Sequence, residues 1–363
     1  MNTMKRTSIS KLLFAEKLFL LLLVWSMSSC IIKDIDIDLS EDHPHRVIVN
    51  GILEAGKYPE LLVMHTMRKD DPGSSMAEGE FPFRVSEAEV TLHINGRLVE
   101  KRKLDSSNEL KKQDTYMLSS PSLIQHKPLF YRGPDILNPG DQVKIEVSVP
   151  GYPDARVNQT VPLKANLEPV SVLEIRDKNN YFKHFQKDPD EKGDYRYLSY
   201  CLRYEDPKPA ALQYYGIAAR MFWPEDLSVE FYSPIWPGVD PVFGKRCVDF
   251  FRGAYGRYRS VEAYPLVIPY FSNYDLPSGS RNLCFLTPIL PEGMRHRFTL
   301  YTIDEMYFRY ASMHYGLEDW VDKGDSSLFD PDDSFLVEKT PSLSNVEGGS
   351  GLVLARTAMT VEL

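Results

Sequence analysis

Cysteine is scarce in this chain and poorly placed for metal. There are four in 363 residues, at positions 30, 201, 247 and 284, and no two of them form a Cys-x-x-Cys pair. Structural zinc sites draw on such close pairs, so zinc is not expected. Cys201, Cys247 and Cys284 allow at most one bridge and leave one thiol over, and they read as small buried apolar residues. Basic residues are in deficit too: 42 Lys and Arg face 51 Asp and Glu, a formal charge of −9. A nucleic-acid binder needs a basic face for the phosphate backbone, so no nucleic-acid partner is expected. The signatures of common hydrolases are also missing. There is no His-Glu-x-x-His and no Gly-x-Ser-x-Gly, and the eight histidines are scattered. No catalytic residue, metal or cofactor is assigned.

Long apolar runs are absent with one exception. Leu18 to Trp25, "LFLLLLVW", is uncharged. It follows Lys5, Arg6, Lys11 and Lys17, set against Glu16 alone, and precedes Ser26, Ser28 and Ser29. As a helix, Leu18 to Met27 reaches about 15 Å, half of a ~30 Å bilayer core. It is too short to cross, and the order basic, apolar, small is that of a secretory signal. Met27-Ser28-Ser29-Cys30 fits the bacterial lipobox: an aliphatic side chain, small residues that admit the peptidase, and a thiol to carry diacylglycerol. The expectation is a lipoprotein signal peptide at 1–29, lipidation of Cys30, and a membrane contact through the N-terminal lipid. At about 0.8 kcal/mol per buried methylene, several acyl chains hold far better than one myristoyl chain. Loss of the leader removes four bases and one acid, which leaves a formal charge of −12.

Residues 30–45 read as an acidic tether, "IIKDIDIDLSEDHPH" from Ile31 on. His43 and His45 flank Pro44 there, but a tether lacks the rigid outer shell that metal ligands need. From Arg46 the pattern is β. "RVIVNGIL" and "ELLVMHT" are apolar on both faces, as buried strands are. Ala88, Val90, Leu92 and Ile94 alternate with polar residues and lead into Asn95-Gly96, a hairpin signal because both residues tolerate positive φ. Val143, Ile145, Val147 and Val149 repeat the alternation. One-faced alternation points to antiparallel sheets, so residues 46–165 are expected to form an immunoglobulin-like sandwich.

Residues 166–363 are expected to form a second, aromatic-rich β domain with one helix near 304–315. Residues 195–285 hold 21 of the 43 aromatics, with Leu198, Tyr200, Leu202 and Tyr204 on one strand face and Tyr215, Ile217, Ala219 and Met221 on another. Ile303, Tyr307, Tyr310, Ala311 and His314 follow helical spacing, with Thr302 as the expected cap, Glu305 reaching back, and Gly316 as the stop. "GLVLARTAMTVEL" reads as a final strand. Trp223, Tyr232 and Trp236, interleaved with Pro224, Pro234 and Pro237, are the candidates for stacking a sugar or other flat ligand. The competing reading is that they cover a core, since aromatics bury large areas routinely.

Two other motifs fail on inspection. "GILEAGKY" lacks the Ser or Thr that a phosphate loop needs after its lysine. "DPDEKG", at Asp188 to Gly193, has Lys192 and Ser199 where a calcium loop needs acids.

The leader ending in Ser-Cys, "KDIDIDL" and "VIVNGILEAGKYPELLVMHT" resemble the opening of the DUF4249 family, a domain of unknown function. "VSEAEVTLHINGR", "DTYMLS" and "GDQVKIEVSVPGY" resemble its N-terminal region. "DEMYFRYASMHY" and "PSLSNVEGGSGLVLARTAM" resemble its C-terminal end, where an Asn precedes a Gly-rich turn and strand. Ile52 departs from the pattern where an aromatic is usual. The resemblance implies an outer-membrane lipoprotein, on the periplasmic or the cell-surface side, of a kind often encoded beside TonB-dependent transporters. It supplies no catalytic residues. The expected function is therefore a non-enzymatic accessory or ligand-binding partner of a TonB-dependent outer-membrane β-barrel in nutrient uptake. The alternatives are an envelope hydrolase acting on glycan or peptide through acids at 317–335, and a structural or adhesive surface lipoprotein.

Overall fold

The sequence pattern of residues 88–94 survives unchanged in the folded chain. In the computed structural model, which describes residues 45–66, 85–109, 128–177, 195–233, 235–236, 268–273, 280–314 and 344–363, strand β3 (Ala88–Ile94) alternates buried and half-buried side chains. Asn95 and Gly96 then turn with φ of 54° and 77° into β4 (Arg97–Leu104). Positive φ at both positions gives the turn the hand of the twisting strands. β6 (Gln142–Ser148) buries Val143, Ile145 and Val147 and pairs with β3 on one side and β7 (Ala155–Thr160) on the other. The result is a four-stranded antiparallel sheet in the order β4-β3-β6-β7.

β1 (Val47–Glu54) is buried along its whole length and pairs with β2 (Glu60–His65), which pairs with β5 (Leu129–Arg132). These strands open an eight-stranded sheet that continues through β15 (Val353–Glu362), β14 (Arg295–Ile303), β10 (Tyr214–Trp223) and β11 (Asp226–Ser233), with β12 (Tyr270–Ser272) also on β10. A third sheet runs β13 (Ser280–Pro288), β9 (Tyr195–Glu205), β8 (Asn166–Asp177). Among the described residues, the strand pairings are antiparallel except that of β1 with β15, which the isolated parallel bridge Ile48–Ser350 extends.

Among the described residues, three large apolar clusters hold the sheets, beside a small one of Tyr197, Trp236 and Leu286. Val47, Val49, Leu61 and Val63 pack against Val90, Leu92, Ile145 and Val157, which makes a sandwich of β1-β2-β5 and the four-stranded sheet. Tyr200, Leu202, Tyr204, Leu283 and Phe285 pack against Tyr215, Ile217, Ala219, Phe298 and Leu300 in a second. On the opposite face of β10, β14 and β15, Ala218, Ile303 and Leu354 meet Tyr307, Tyr310 and Ala311 of the helix α1 (Glu305–His314). The fold is mostly β and sandwich-like, and among the described residues it has one α-helix, α1, near the C-terminal end. The expected boundary at 165/166 falls in the connection between β7 and β8, but the first cluster also takes Val346, Val353 and Ala355 from the far end of the chain. The eight-stranded sheet likewise takes strands from both sides of that point. All of this lies within the unit His45–Leu363.

Two local expectations are corrected. Thr302 does not cap α1; it is buried in β14 opposite Thr357. Asp304 caps the helix, accepting the Tyr307 N–H at 2.6 Å, because a carboxylate one residue before the helix reaches the free N–H groups of the first turn. Cys201 and Cys284 are not isolated thiols. They face each other across β9 and β13 and form a disulfide. Cys30, Cys247, the leader, the tether as far as Pro44, the calcium-like loop and the 317–335 segment lie outside the described residues, while His45 at the end of the tether is described and contacts the Thr66 carbonyl at 3.1 Å. Among the described residues, no helix is long and apolar enough to cross a membrane.

Candidate functional site

β15 reaches the middle of the sheet through a tight approach. Gly351, at φ +106°, sits so close to β1 that a Cβ there would lie 2.4 Å from the Val49 carbonyl. The Asn345 side chain accepts from the Val353 N–H at 2.9 Å and donates to its carbonyl at 2.7 Å, standing in for a neighbouring strand. Asn50 of β1 accepts the Leu352 N–H at 2.8 Å. These contacts fix the register, which sets Glu54 opposite Arg356. Strand side chains alternate between faces. Val353 and Ala355 therefore enter the first sandwich, while Leu354 and Arg356 face α1.

Arg356 donates from Nε to Glu54 Oε2 at 2.7 Å, makes a second contact from the guanidinium at 2.5 Å, and reaches the Tyr307 hydroxyl at 3.3 Å. Its guanidinium carbon stands 4.9 Å over the Tyr301 ring. Lys57 approaches Glu54 at 3.0 Å. The Glu54 side chain is only 6% exposed and that of Arg356 15%. Burial pushes the Glu54 carboxyl up, but Arg356 and Lys57 together outweigh it and hold it below the usual carboxylate range. Burial likewise opposes the charge on Arg356, and the oxygens of Tyr307, Glu54 and Tyr301 more than restore it. Both groups stay charged, and neither exchanges a proton near neutral pH.

The row continues across β10 and β11. Arg220 donates to Glu230 at 3.1 Å and to the Tyr232 hydroxyl at 3.2 Å, and lies 5.0 Å over the Tyr232 ring. Arg297 pairs with Glu230 and, at 2.9 Å, with Glu362, and stacks 4.3 Å over Phe222. The α1 face of the sheet thus carries alternating carboxylate, guanidinium and phenol in its strands, from buried Glu54 through half-buried Arg220 and Arg297 to exposed Glu362. Such a row recognises by charge-assisted hydrogen bonds and ring faces. Among the described residues, no group of three or more His, Cys, Asp or Glu is placed to hold a metal ion.

A hydroxyl–imidazole contact lies on the opposite face. Ser233 Oγ is 3.0 Å from His296 Nε2, and Tyr200 Oη is 2.9 Å from His296 Nδ1. All three residues are buried. Burial pushes His296 down to about 4 and Tyr200 up to about 12. A nucleophile–base pair must meet its substrate, and this one is sealed inside the second sandwich. It serves as a satisfied polar knot in an aromatic core.

The aromatic candidates do not converge. Tyr232 joins the polar row. Trp223 is half-buried at the end of β10, edge-on to Phe231 at 6.2 Å. Trp236 is 3% exposed, edge-on to Tyr197 at 5.6 Å, with its backbone bridged to Leu286. The polar row itself was missed. Its sequence signal was a Glu closing the apolar run "VIVNGIL" and an Arg inside "GLVLART", charges within strands otherwise apolar on both faces. Nothing local links two residues that far apart.

The family model described as Domain of unknown function (DUF4249) matches residues 32–361. The chain belongs to this family. The DUF4249 match begins just after Cys30 and runs into β15, so it takes in every residue of the polar row but Glu362. No curated protein matches the chain.

Proposed function

We propose that this DUF4249 chain is an outer-membrane lipoprotein, anchored through acylated Cys30. In this reading it works without catalysis, as an accessory or ligand-binding partner of a TonB-dependent transporter in nutrient uptake. The observation that carries the reading is the ordered leader: bases, an eight-residue apolar run, then Met27-Ser28-Ser29-Cys30. Two structural features support it. The Cys201–Cys284 disulfide suits an oxidising compartment outside the cytoplasm. The polar row is built for holding rather than for proton transfer, and Arg220 and Arg297 keep 34% and 20% of their side chains exposed.

The test has three arms. Cys30→Ala should abolish processing and membrane retention; a variant processed and held like wild type would overturn the anchor. Affinity purification from solubilised outer membranes should recover a β-barrel transporter, and recovery of none would overturn the partnership. Protease shaving of intact cells assigns the leaflet.

A further inference from the structure

Two loops and the start of β4, at one end of the first sandwich, each expose a large apolar side chain. Tyr58, in the turn between β1 and β2, is 42% exposed; Leu98, just after the Asn95-Gly96 turn, is 55% exposed; Ile136, between β5 and β6, is 49% exposed. The loops are stitched together. Gly56 N–H donates to the Leu137 carbonyl at 2.8 Å and Leu137 N–H to the Lys57 carbonyl at 3.0 Å. Asn95 pairs with Asp141 at 2.8 Å, and Arg97 with Asp135 at 3.2 Å. The apolar tip is therefore held in place and is not a fraying loop.

The tip is also where the charge reverses. The chain carries a formal charge of −9, yet β4, running from this tip along the edge of its sheet, reads "RLVEKRKL", four bases to one acid. Arg97, Lys101, Arg102 and Lys103 are all exposed. The pairs they make, Arg97 with Asp135 and Lys101 with Glu89 at 2.8 Å, are surface pairs, which bind weakly and yield to better anions. Apolar tips, a tyrosine and flanking bases together are the composition of a peripheral membrane contact: the rings and aliphatics enter the headgroup boundary and the bases meet lipid phosphate.

We propose that the Tyr58–Leu98–Ile136 tip and the basic strand β4 dock on an anionic lipid surface. This adds a second, reversible contact to the one the N-terminal lipid provides. The inference rests on the anchored reading above. From Cys30 to Pro44 the chain can extend to at most about 50 Å, which leaves the body free to lie on the bilayer that holds it.

The test uses the mature protein as purified from cell membranes, reconstituted in two vesicle types: phosphatidylcholine alone, and phosphatidylcholine with phosphatidylglycerol. Flotation reports the anchor, and amide hydrogen exchange at residues 55–59, 95–98 and 133–137 reports the tip. The expected result is flotation with both vesicle types, but exchange in the three segments slowed about threefold or more only with the anionic lipid. About 0.5 M salt should reverse this by screening. The triple variant Leu98→Ser, Lys101→Glu, Lys103→Glu, changed only at exposed positions, should float equally and lose the protection. Flotation with loop exchange indifferent to lipid charge overturns the inference and leaves the anchor standing. Failure to float on neutral vesicles overturns the anchor instead, and binding to anionic vesicles alone then still supports the tip. Loop protection that needs an added outer-membrane protein overturns the choice of lipid as the occupant.

Discussion

At the scale of the residue, Arg356 carries the most consequence. Removing one partner of a buried ion pair leaves the other charge desolvated and unmatched, a cost of several kcal/mol. Glu54 retains Lys57 after such a loss, so Arg356→Ala should destabilise by about 3 kcal/mol, the lower part of that range. Urea denaturation would read this as a lower midpoint at unchanged slope. Replacing both partners at once, Glu54→Leu with Arg356→Met, should cost less than Arg356→Ala alone, because no orphaned charge remains. A double variant worse than the single would mean that the pair contributes more than charge balance. Gly351→Ala tests the approach of β15 to β1. The added methyl meets the Val49 carbonyl at 2.4 Å in a backbone conformation that L side chains rarely adopt. A loss of at least about 2 kcal/mol is expected, since strain and displacement of a central strand add. Loss of the Asn345–Val353 bonds would accompany it, visible as faster amide exchange at Val353.

At the scale of the element, the disulfide joins the central residues of β9 and β13, which already pair along nine positions. Closing a loop across a separation of 83 residues restrains the unfolded chain by roughly 4–5 kcal/mol in the chain-entropy description. The strand pairing does not depend on it. Cys201→Ala with Cys284→Ala should therefore fold with an unchanged far-ultraviolet spectrum and a melting temperature lower by several degrees, and reductant should shift wild type equally. If reductant left wild-type melting unaltered, the bond would add nothing to this pairing. Elements also show what the sequence made legible. β3 and β6 were readable because one face is wet and one dry, and Asn95-Gly96 has few conformations open to it. The helix was readable because Tyr307, Tyr310 and Ala311 share one face; its cap was not, because Asp304 also accepts the Ala355 N–H from a strand distant in sequence. The parallel pairing of β1 with β15, and with it the Glu54–Arg356 contact, joins opposite ends of the chain and leaves no local periodicity to read. The Cys201–Cys284 bond was equally hidden, since thiols on facing strands look in sequence like any two cysteines. The separate placements of the two tryptophans were hidden for a related reason: composition locates aromatics but not which face of a strand they take.

At the scale of the whole molecule, two groups inside the fold, buried His296 and half-buried Asp304, set opposing pH dependences. His296 is neutral in the folded chain, held down to about 4 by burial, against 6.5 in the open chain. Between those values the unfolded chain binds a proton that the native chain refuses, so stability falls as pH drops from 6.5 towards 4. Asp304 runs the other way. Burial lifts it to about 6 from 3.8, against the pull of the Tyr307, Ala355 and Met306 N–H groups, so its protonated form is favoured in the native chain and stability falls as pH rises from 3.8 through 6. Each contributes up to about 1.4 kcal/mol per pH unit, and between pH 4 and 6 they largely cancel. Single substitutions should separate them. Relative to wild type, His296→Gln, whose amide can still meet Tyr200 and Ser233, should gain stability as pH falls from 6.5 to 4. Asp304→Asn should instead lose stability relative to wild type as pH falls over roughly the same interval, because only the wild-type carboxyl takes up a proton there. Urea midpoints at half-unit pH steps for the three proteins read both differences. Parallel curves for wild type and His296→Gln would mean that His296 charges in place, and the sealed knot of Ser233, Tyr200 and His296 would then have to admit water.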